Sequence, residues 1–288
     1  MRGQDLLSLA DHDAAELIRA LERAQDLARA WGERRMPQSL DGRRLGLIVD
    51  DTGWRNTTAF DLGVQAMGGV CVHAPIALGG GREALPDLAG YLDNWLDAVI
   101  VRTPNLSDMR ELAQAAAAPV INARTRTNHP CETLGDLAFA MAQRGSIEGL
   151  KVAVAAPGGN ILGSWVEAAA TLPIEVVQVY PSRWHVAAAE RTSGFRVSED
   201  VGDLTAADMI VTDCWPTDAD QIGLAPYQIT AALLEASEAL FVPCPPVTRG
   251  QEVSEDAMLH PNCRAREAKA FLLHAQNAVL EAILADRG

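Results

Sequence analysis

The most informative stretch of this chain is Leu47-Ile48-Val49-Asp50-Asp51-Thr52-Gly53-Trp54-Arg55-Asn56-Thr57-Thr58-Ala59-Phe60. An apolar run over residues 45–49 ends in a polar turn with a glycine and an arginine, and a helix is predicted to begin at Thr58. Such a turn places free backbone N–H groups at the positive end of a helix dipole, where anions bind. Arg55 adds a planar fork of donors that suits a phosphate. The alternative is a capped helix with a solvated arginine.

Length and composition bound the class of protein. The chain has 288 residues, enough for two domains of ordinary size, and 48% of its residues are hydrophobic. Its net charge of -14 argues against a broad basic face for nucleic acid, so an anionic substrate needs a locally positive pocket. The five cysteines are scattered without zinc-like spacing, which fits a reducing cytoplasm. The N-terminus lacks a signal-peptide core, and no apolar stretch is long enough to predict a membrane span.

Strand-like and helix-like segments alternate, which predicts an α/β protein with two doubly wound parallel-sheet domains. In the first series we predict strands at residues 45–49, 70–74, 98–102 and 120–122, and helices at 11–30, 58–67, 86–95 and 107–116, with Ser107 capping the last. In the second we predict strands at 151–155, 174–179, 208–212 and 240–242, and helices at 161–169 and 226–237, with a helix or turn at 187–190. A helix at 133–143 joins the two series, and one at 265–285 closes the chain. The predicted domains are residues 1–132, with helix 265–288 packing back on them, and residues 133–264.

Polar side chains follow several of the predicted strands. In doubly wound sheets, ligands bind beyond the carboxyl ends of the strands. The first series places Arg55, Arg102 and His129 there, whereas the second places Asn160, Asp213 and Cys244. This asymmetry predicts an anion on the first domain, an amine on the second, and a reaction between them.

Later motifs carry a resemblance to a known family. His129-Pro130-Cys131-Glu132 resembles a His-Pro-Cys-Gln motif, and Thr212-Asp213-Cys214-Trp215 resembles Thr-Asp-Val-Trp. Pro243-Cys244-Pro245-Pro246 with the trailing Arg249-Gly250-Gln251-Glu252-Val253 resembles His-Cys-Leu-Pro followed by Arg-Gly-Glu-Glu-Val. His274-Ala275-Gln276 resembles a closing His-Val-Gln helix. In this order, and over essentially the whole length, the chain resembles the aspartate/ornithine carbamoyltransferases, nearer the ornithine branch.

The resemblance implies a fold, an activity and site residues. The implied fold has two parallel-sheet domains joined by interdomain helices, in a homotrimer with sites at subunit interfaces. The implied reaction moves the carbamoyl group of carbamoyl phosphate to the amine of an amino-acid-like acceptor, without cofactor or metal. By resemblance, Arg55 and Arg102 hold the phosphate, and His129 and Arg249 bind the carbamoyl oxygen. Asp213 positions the amine. Cys244 is either a participant or a buried small side chain, and Asn160 either binds the amino-acid end of the acceptor or caps a helix.

The chain also departs from the family pattern. Gly53-Trp54-Arg55-Asn56-Thr57 stands in place of Ser-Thr-Arg-Thr-Arg, so a serine hydroxyl and the second arginine are lost. Glu132 replaces a glutamine that faces the carbamoyl amide, and it can accept from an NH2 group, prefer an amidine or guanidinium, or begin the interdomain helix. Thr217-Asp218-Ala219 replaces Ser-Met-Gly in the acceptor loop. Arg82, after Gly79-Gly80-Gly81, stands where the family has a mobile loop that reaches a neighbouring subunit.

Three functions stay open at this stage. The first is a carbamoyltransferase with an altered acceptor, in which Gly53, Trp54, Asn56 and Thr57 still contribute to substrate binding. The second is a protein of this fold that has lost catalysis and serves as a binding or assembly partner. The third is an enzyme that uses a related acyl phosphate. The predicted partners are small molecules and copies of the same chain, not nucleic acid or membrane.

Overall fold

The structure is a computed structural model that describes residue 1 and residues 3–49, 53–78, 83–217 and 220–284. The chain forms two compact units, and each boundary between them lies within a helix. The first unit holds residues 1–139 and the segment that begins at Ala270, and the second holds residues 140–269. The functional assignment of each unit stays a prediction.

The first unit contains a parallel sheet covered by helices. Its strands are β1 (Arg44–Val49), β2 (Val70–His73), β3 (Ala98–Arg102) and β4 (Val120–Arg124). Its helices are α1 (Ala14–Gly32), α2 (Trp54–Ala66), α3 (Leu85–Asp93) and α4 (Leu106–Ala115). Within the described residues the strand order is β2-β1-β3-β4, and all the pairs are parallel. The strand order changes direction between β1 and β3. Folds of this kind bind ligands in the crevice at the ends of these two strands.

The second unit repeats this plan. It begins within α5 (Pro130–Arg144) and contains β5 (Leu150–Ala155), α6 (Asn160–Thr171), β6 (Ile174–Val179), β7 (Phe195–Ser198) and α7 (Gly202–Thr205). β8 (Met209–Thr212), α8 (Gln221–Leu224), α9 (Ala231–Glu235), β9 (Leu240–Pro243) and α10 (Ala265–Leu284) follow. The strand order β7-β6-β5-β8-β9 is again parallel throughout the described residues, and the reversal lies between β5 and β8.

The two cores are apolar as the strand patterns predict. Ile48, Val99, Val101 and Val120 are at most 1% exposed in the first sheet, because both faces of a parallel sheet are covered by helices. In the second, Val179, Ile210 and Phe241 are fully buried. The predicted α/β fold with two parallel sheets is therefore confirmed.

Three predicted helices are wrong in detail, and one strand was missed. Helix α2 begins at Trp54, not Thr58, because its polar first turn carries no apolar stripe to signal a helix. Helix α4 is capped at Asn105 instead of Ser107, whose hydroxyl donates to Asp108. Helix α5 begins at Pro130, three residues before the predicted start at Thr133. Strand β7 was not predicted, since four residues are too few to establish an alternating pattern.

The predicted helix over residues 226–237 is broken. A 3₁₀ turn covers Ala225–Tyr227, and α9 begins only at Ala231, with the Thr230 side chain accepting from the backbone N–H of Leu233. Between them Ile229 is extended and forms a parallel bridge to Val253. Local helix propensity thus gives way to a long-range strand contact with a fully buried isoleucine.

Candidate active site

The N-terminus of α2 lies where β1 and β3 end. Val49 and Arg102 are register partners, so both strands deliver their last residues to the same edge. Gly53 occupies the N-cap of α2, and its carbonyl accepts the N–H of Thr57 at 3.0 Å. A Cβ atom on residue 53 would lie 2.7 Å from Cδ and 2.8 Å from Nε of Arg102. The absence of a side chain on Gly53 therefore lets the Arg102 guanidinium approach the N-terminus of this helix.

Arg55 lies in the first turn of α2, not in a loop. Its Cζ is 4.9 Å from the ring centroid of Trp54, which is a cation–π distance. The Trp54 side chain is itself 65% exposed. Thr57 donates from Oγ1 to the Gly53 carbonyl at 3.2 Å, so its hydroxyl hydrogen is directed to the backbone. The residues of the divergent loop thus bring an arginine, an aromatic face and a helix N-terminus together.

A buried hydrogen-bond network fixes the segment before α5. The Asn128 side chain accepts from Asn122 at 2.7 Å and from Thr125 at 2.8 Å, and it donates to the Leu7 carbonyl at 2.9 Å. The carbonyl of His129 then accepts the N–H of Glu132, the beginning of the helix. These bonds place the His129 ring at the N-terminus of α5.

His129 and Glu132 are both buried there, at 6% and 5% exposure. Nε2 of His129 is 3.1 Å from Nδ2 of Asn56 and 3.8 Å from Oε2 of Glu132. A carboxylate in the first turn of a helix is favoured by the helix dipole. The Cys131 thiol between them donates to the Asn122 carbonyl, and burial raises the pKa of Cys131 to about 12, so this thiol is structural.

In the second unit, predicted residues gather where β5, β8 and β9 end. Asn160 is the first residue of α6 after Gly159, and it is 9% exposed. Asp213 follows β8, and its Oδ1 accepts the N–H of Cys214 at 2.8 Å. Cys244 follows β9 and donates its backbone N–H to the Thr212 carbonyl at 3.1 Å.

The remaining predicted residues are exposed or lie outside the described residues. Arg249 pairs with Glu255 at 3.1 Å, and its side chain is 45% exposed. Thr217 is exposed, while Asp218 and Ala219 lie outside the described residues. Arg82 and the three glycines before it also lie outside them.

Family models match both halves of the chain. Residues 4–141 match the family model for the carbamoyl phosphate-binding domain of aspartate/ornithine carbamoyltransferases, and residues 148–283 match the model for the Asp/Orn-binding domain. The chain belongs to the aspartate/ornithine carbamoyltransferase family. An ornithine carbamoyltransferase from Symbiobacterium thermophilum is 30% identical, with 99% of each chain covered. One from Bradyrhizobium diazoefficiens is 31% identical, with 93% of this chain and 90% of that one covered.

Solved structures of this transferase family show the same fold. Ornithine carbamoyltransferase from Pyrococcus furiosus superposes with a TM-score of 0.93 at 27% identity, covering 100% of this chain and 99% of that one. The enzyme from Gloeobacter violaceus gives 0.86 at 30% identity, covering 97% and 98%.

Neither a metal-ligand group nor a membrane-spanning helix occurs among the described residues. Within the described residues, no three metal-ligating side chains are grouped to hold a metal ion. None of the described helices combines the length and hydropathy that crossing a bilayer requires.

Two buried polar side chains, those of Gln276 and Glu252, were not predicted from the sequence. Gln276 on α10 donates to Asn56 at 2.8 Å inside the first unit, and only tertiary contact brings residues 220 positions apart together. Glu252 is 2% exposed and accepts the backbone N–H of Thr248. Burial raises the pKa of Glu252. Glu252 lies in the Arg-Gly-Gln-Glu-Val motif, but the prediction from that motif named Arg249 and not Glu252.

Proposed function

We propose that this chain transfers the carbamoyl group of carbamoyl phosphate to the amine of ornithine or a variant of ornithine, releasing phosphate. Family membership and the names of the bacterial relatives support this reaction. The observation that carries the proposal is the packing of Arg102 against Gly53 at the N-terminus of α2, with Arg55 in its first turn.

The phosphate half of the donor is assigned to this corner. A helix N-terminus carries roughly half a positive charge, and two guanidinium groups add bidentate donors. The chain as a whole has a net charge of -14, so a dianion is attracted only where cations are concentrated. Gly53 contributes its backbone to the same turn, and the Trp54 ring packs against Arg55. Asn56 belongs to this turn, and its buried amide contacts His129 and Gln276.

The acyl and acceptor halves are assigned to the other strand ends. His129 and Glu132 face the carbamoyl group, with Arg249 completing the oxygen site in the reacting complex. Asp213, Cys244, Asn160 and Thr217 bind the acceptor. The neutral amine attacks the carbonyl carbon, the C–N bond forms, and the C–O bond to phosphate breaks. The proton that the amine loses goes to the departing phosphate. Preorganised donors at the carbonyl oxygen are worth roughly a hundredfold or more in rate.

Altered acceptor specificity is part of the proposal. Thr217-Asp218-Ala219 and Trp54 differ from the family pattern on the acceptor and donor sides. The acceptor is therefore an amine with an amino-acid end, and ornithine is the first one to test. We also propose a homotrimer, by family membership. We propose a cytoplasmic location, which is supported by the five cysteines, none of them in a disulfide.

Calorimetric titration with carbamoyl phosphate tests the donor site. We expect the parent chain to bind it and Arg55→Ala to bind at least about tenfold more weakly, because a charge-assisted hydrogen bond contributes ~1.5–3 kcal/mol. Arg110→Ala, an exposed arginine on α4, is the matched control and should bind as the parent does. A screen of amines for phosphate release then identifies the acceptor.

The alternative is a binding or assembly protein without catalysis. It is favoured by Thr57, whose hydroxyl hydrogen is used by the Gly53 carbonyl, and by the missing second arginine. Failure of the parent chain to bind millimolar carbamoyl phosphate would support this alternative over the transferase.

A further inference from the structure

A β-bulge brings two arginines side by side where β3 and β4 end. Up to Val101 the two strands pair residue for residue, with Val101 opposite Asn122. The register then shifts, so that Arg102 is opposite Arg124 and Ala123 is the extra residue on β4. β-Bulges are over-represented next to active sites, where they redirect a side chain. This bulge redirects Arg124 at the edge of the sheet where Arg102 lies.

Without the bulge, Arg124 would project from the opposite face of the sheet. Successive residues of a strand alternate between the two faces, and a slip of one residue moves a side chain to the other face. Ala123 would then be opposite Arg102, and Arg124 would be opposite Thr103. With the extra residue, the two arginines share one register position on neighbouring strands about 4.8 Å apart. The backbone N–H of Thr103 donates to the Arg124 carbonyl at 3.1 Å, which holds the shifted pairing in place.

Arg102 shows which way this register position faces. A Cβ atom on Gly53 would lie 2.7 Å from Cδ of Arg102, so the Arg102 side chain runs to the N-terminus of α2. The carbonyl oxygen of Ala123, the residue before Arg124, lies 3.4 Å from the side-chain amide of Asn56 in the first turn of the same helix. Both strands therefore deliver an arginine to the N-terminus of α2, and all these residues belong to the first unit.

The backbone that carries Arg124 is also fixed on its other side. The Thr125 N–H donates to the Asn128 carbonyl at 2.8 Å, and the Thr125 hydroxyl donates to the Asn128 side chain, also at 2.8 Å. The N–H of Arg126 donates to the Pro104 carbonyl at 3.0 Å. Binding residues on a rigid backbone lose less conformational entropy when a ligand arrives. Arg124 thus extends from a strand end that is already ordered.

Two like charges directly opposite each other on neighbouring strands are destabilising. Arg102 and Arg124 are both half-buried, so solvent screens their repulsion less than it does on the surface. The free N–H groups of the α2 N-terminus add positive potential in the same corner. A dianion between the guanidinium groups removes this repulsion and accepts bidentate hydrogen bonds. The arrangement is therefore suited to an oxyanion.

We infer that Arg124 is a third phosphate-binding arginine, which grips the phosphate of the donor together with Arg55 and Arg102. The inference rests on the proposed function and extends its donor site to β4. Thr57 stands where the family pattern has a second arginine in the phosphate loop, and Arg124 supplies a cation to the corner that lost one.

Calorimetric titration of the full chain with inorganic phosphate tests the role of Arg124. We expect Arg124→Met to bind phosphate at least about tenfold more weakly than the parent, because a bidentate charged partner is lost while the apolar stem is kept. Arg126→Met is the matched control, since it removes the same charge from an exposed position two residues along and should bind as the parent does. Equal affinity in the parent and Arg124→Met, or equal losses in the two variants, would overturn the inference.

A second variant covers failure of Arg124→Met to fold, which thermal unfolding detects. Arg124→Lys keeps the charge but lacks the planar fork of donors, so it should bind phosphate about threefold more weakly than the parent. Parent affinity in this variant would mean that the guanidinium group of Arg124 does not contact the phosphate.

Steady-state kinetics distinguish the phosphate of the donor from a carboxylate of the acceptor. Arg124→Met should raise KM for carbamoyl phosphate about tenfold and leave KM for the amine within about twofold of the parent value. A rise confined to the KM of the amine would assign Arg124 to the acceptor and contradict the inference. Absence of transfer in the parent with every amine would refute the proposed function, whereas the phosphate titration would still decide the role of Arg124.

Discussion

At the scale of single residues, the site depends on what Gly53 lacks. Arg102 fills the space in which a side chain on residue 53 would lie, with 2.7 Å to the nearest atom. Non-bonded carbon atoms do not approach this closely, so a larger residue at position 53 must displace the Arg102 side chain. The loss of a serine hydroxyl in this loop is therefore coupled to the position of a guanidinium group.

Gly53→Ala should weaken phosphate binding about tenfold, equivalent to ~1.4 kcal/mol, because Arg102 moves away from the helix N-terminus. Calorimetry with inorganic phosphate measures this change. Gly32→Ala is the control, since a Cβ there meets no atom within 4 Å. Equal affinity in Gly53→Ala and the parent would show that Arg102 does not bind the phosphate.

His274 predicts a pH dependence of stability. The residue is 5% exposed and its ring packs against Trp31 and Phe271, with centroids 6.1 and 5.8 Å away. Burial lowers the pKa of His274 from 6.5 to about 4. The unfolded chain therefore binds a proton below pH 6.5 that the folded chain refuses, and the folded state loses stability as the pH falls.

Between pH 6.5 and 4 the loss from His274 amounts to at most about 3 kcal/mol. Urea unfolding at pH 7.5 and 5 measures it, and His274→Phe should flatten the dependence because an apolar ring suits this aromatic site. His73→Gln, at an exposed histidine, should keep the dependence of the parent. An unchanged pH dependence in His274→Phe would mean that other groups cause it.

At the scale of elements, the close packing of α5 on α10 in the first unit joins distant parts of the chain. A Cβ on Gly135 would lie 3.0 Å from Cα and 3.1 Å from the backbone nitrogen of Leu272. Backbone atoms cannot rotate aside as a side chain can. The same helix α10 supplies Gln276 to Asn56, so its placement also bears on the site.

Gly135→Ala should destabilise the protein by ~1–3 kcal/mol, because the added methyl group forces the two helices apart. Thermal unfolding measures the change. Gly90→Ala in α3 has open space around its Cβ and should stabilise by ~0.5–1 kcal/mol through the higher helix propensity of alanine. If Gly135→Ala and Gly90→Ala shifted the melting temperature in the same direction, this account of the packing would be wrong.

At the scale of the whole molecule, each of the two units places polar groups at the reversal point of its own parallel sheet. In the first these are Arg102 and the α2 N-terminus, and in the second they are Asn160 and Asp213. The mass of one chain is 30.8 kDa, so the proposed homotrimer has a mass of about 92 kDa (three chains). Light scattering measures this mass.

Subunit exchange tests whether Arg82 serves a neighbouring site. Arg55→Ala and Arg82→Ala should each be inactive alone, yet trimers reassembled from an equal mixture should regain about a quarter of the parent activity. One site in four then receives an intact Arg55 from one subunit and an intact Arg82 from the next. Reassembly of each variant with itself is the control, and a mixture without recovery would place both arginines in the same subunit's site.

Local sequence patterns are enough to predict the fold class and most of the elements. Runs such as residues 98–102 and 174–179 are apolar throughout, and such runs between helical stripes specify buried parallel strands whatever their neighbours are. The ordered motifs around His129, Asp213 and Cys244 also determined the family, because their chemistry is local to each segment.

The contacts between distant residues could be seen only in the folded chain. The approach of Arg102 to Gly53, the hydrogen bond from Gln276 to Asn56 and the bridge between Ile229 and Val253 all join residues far apart in sequence. Periodicity and propensity describe one segment at a time, whereas these contacts depend on how helices and strands pack together. For the same reason the pKa of His274 is lowered by its burial in the fold, which no local pattern of residues specifies.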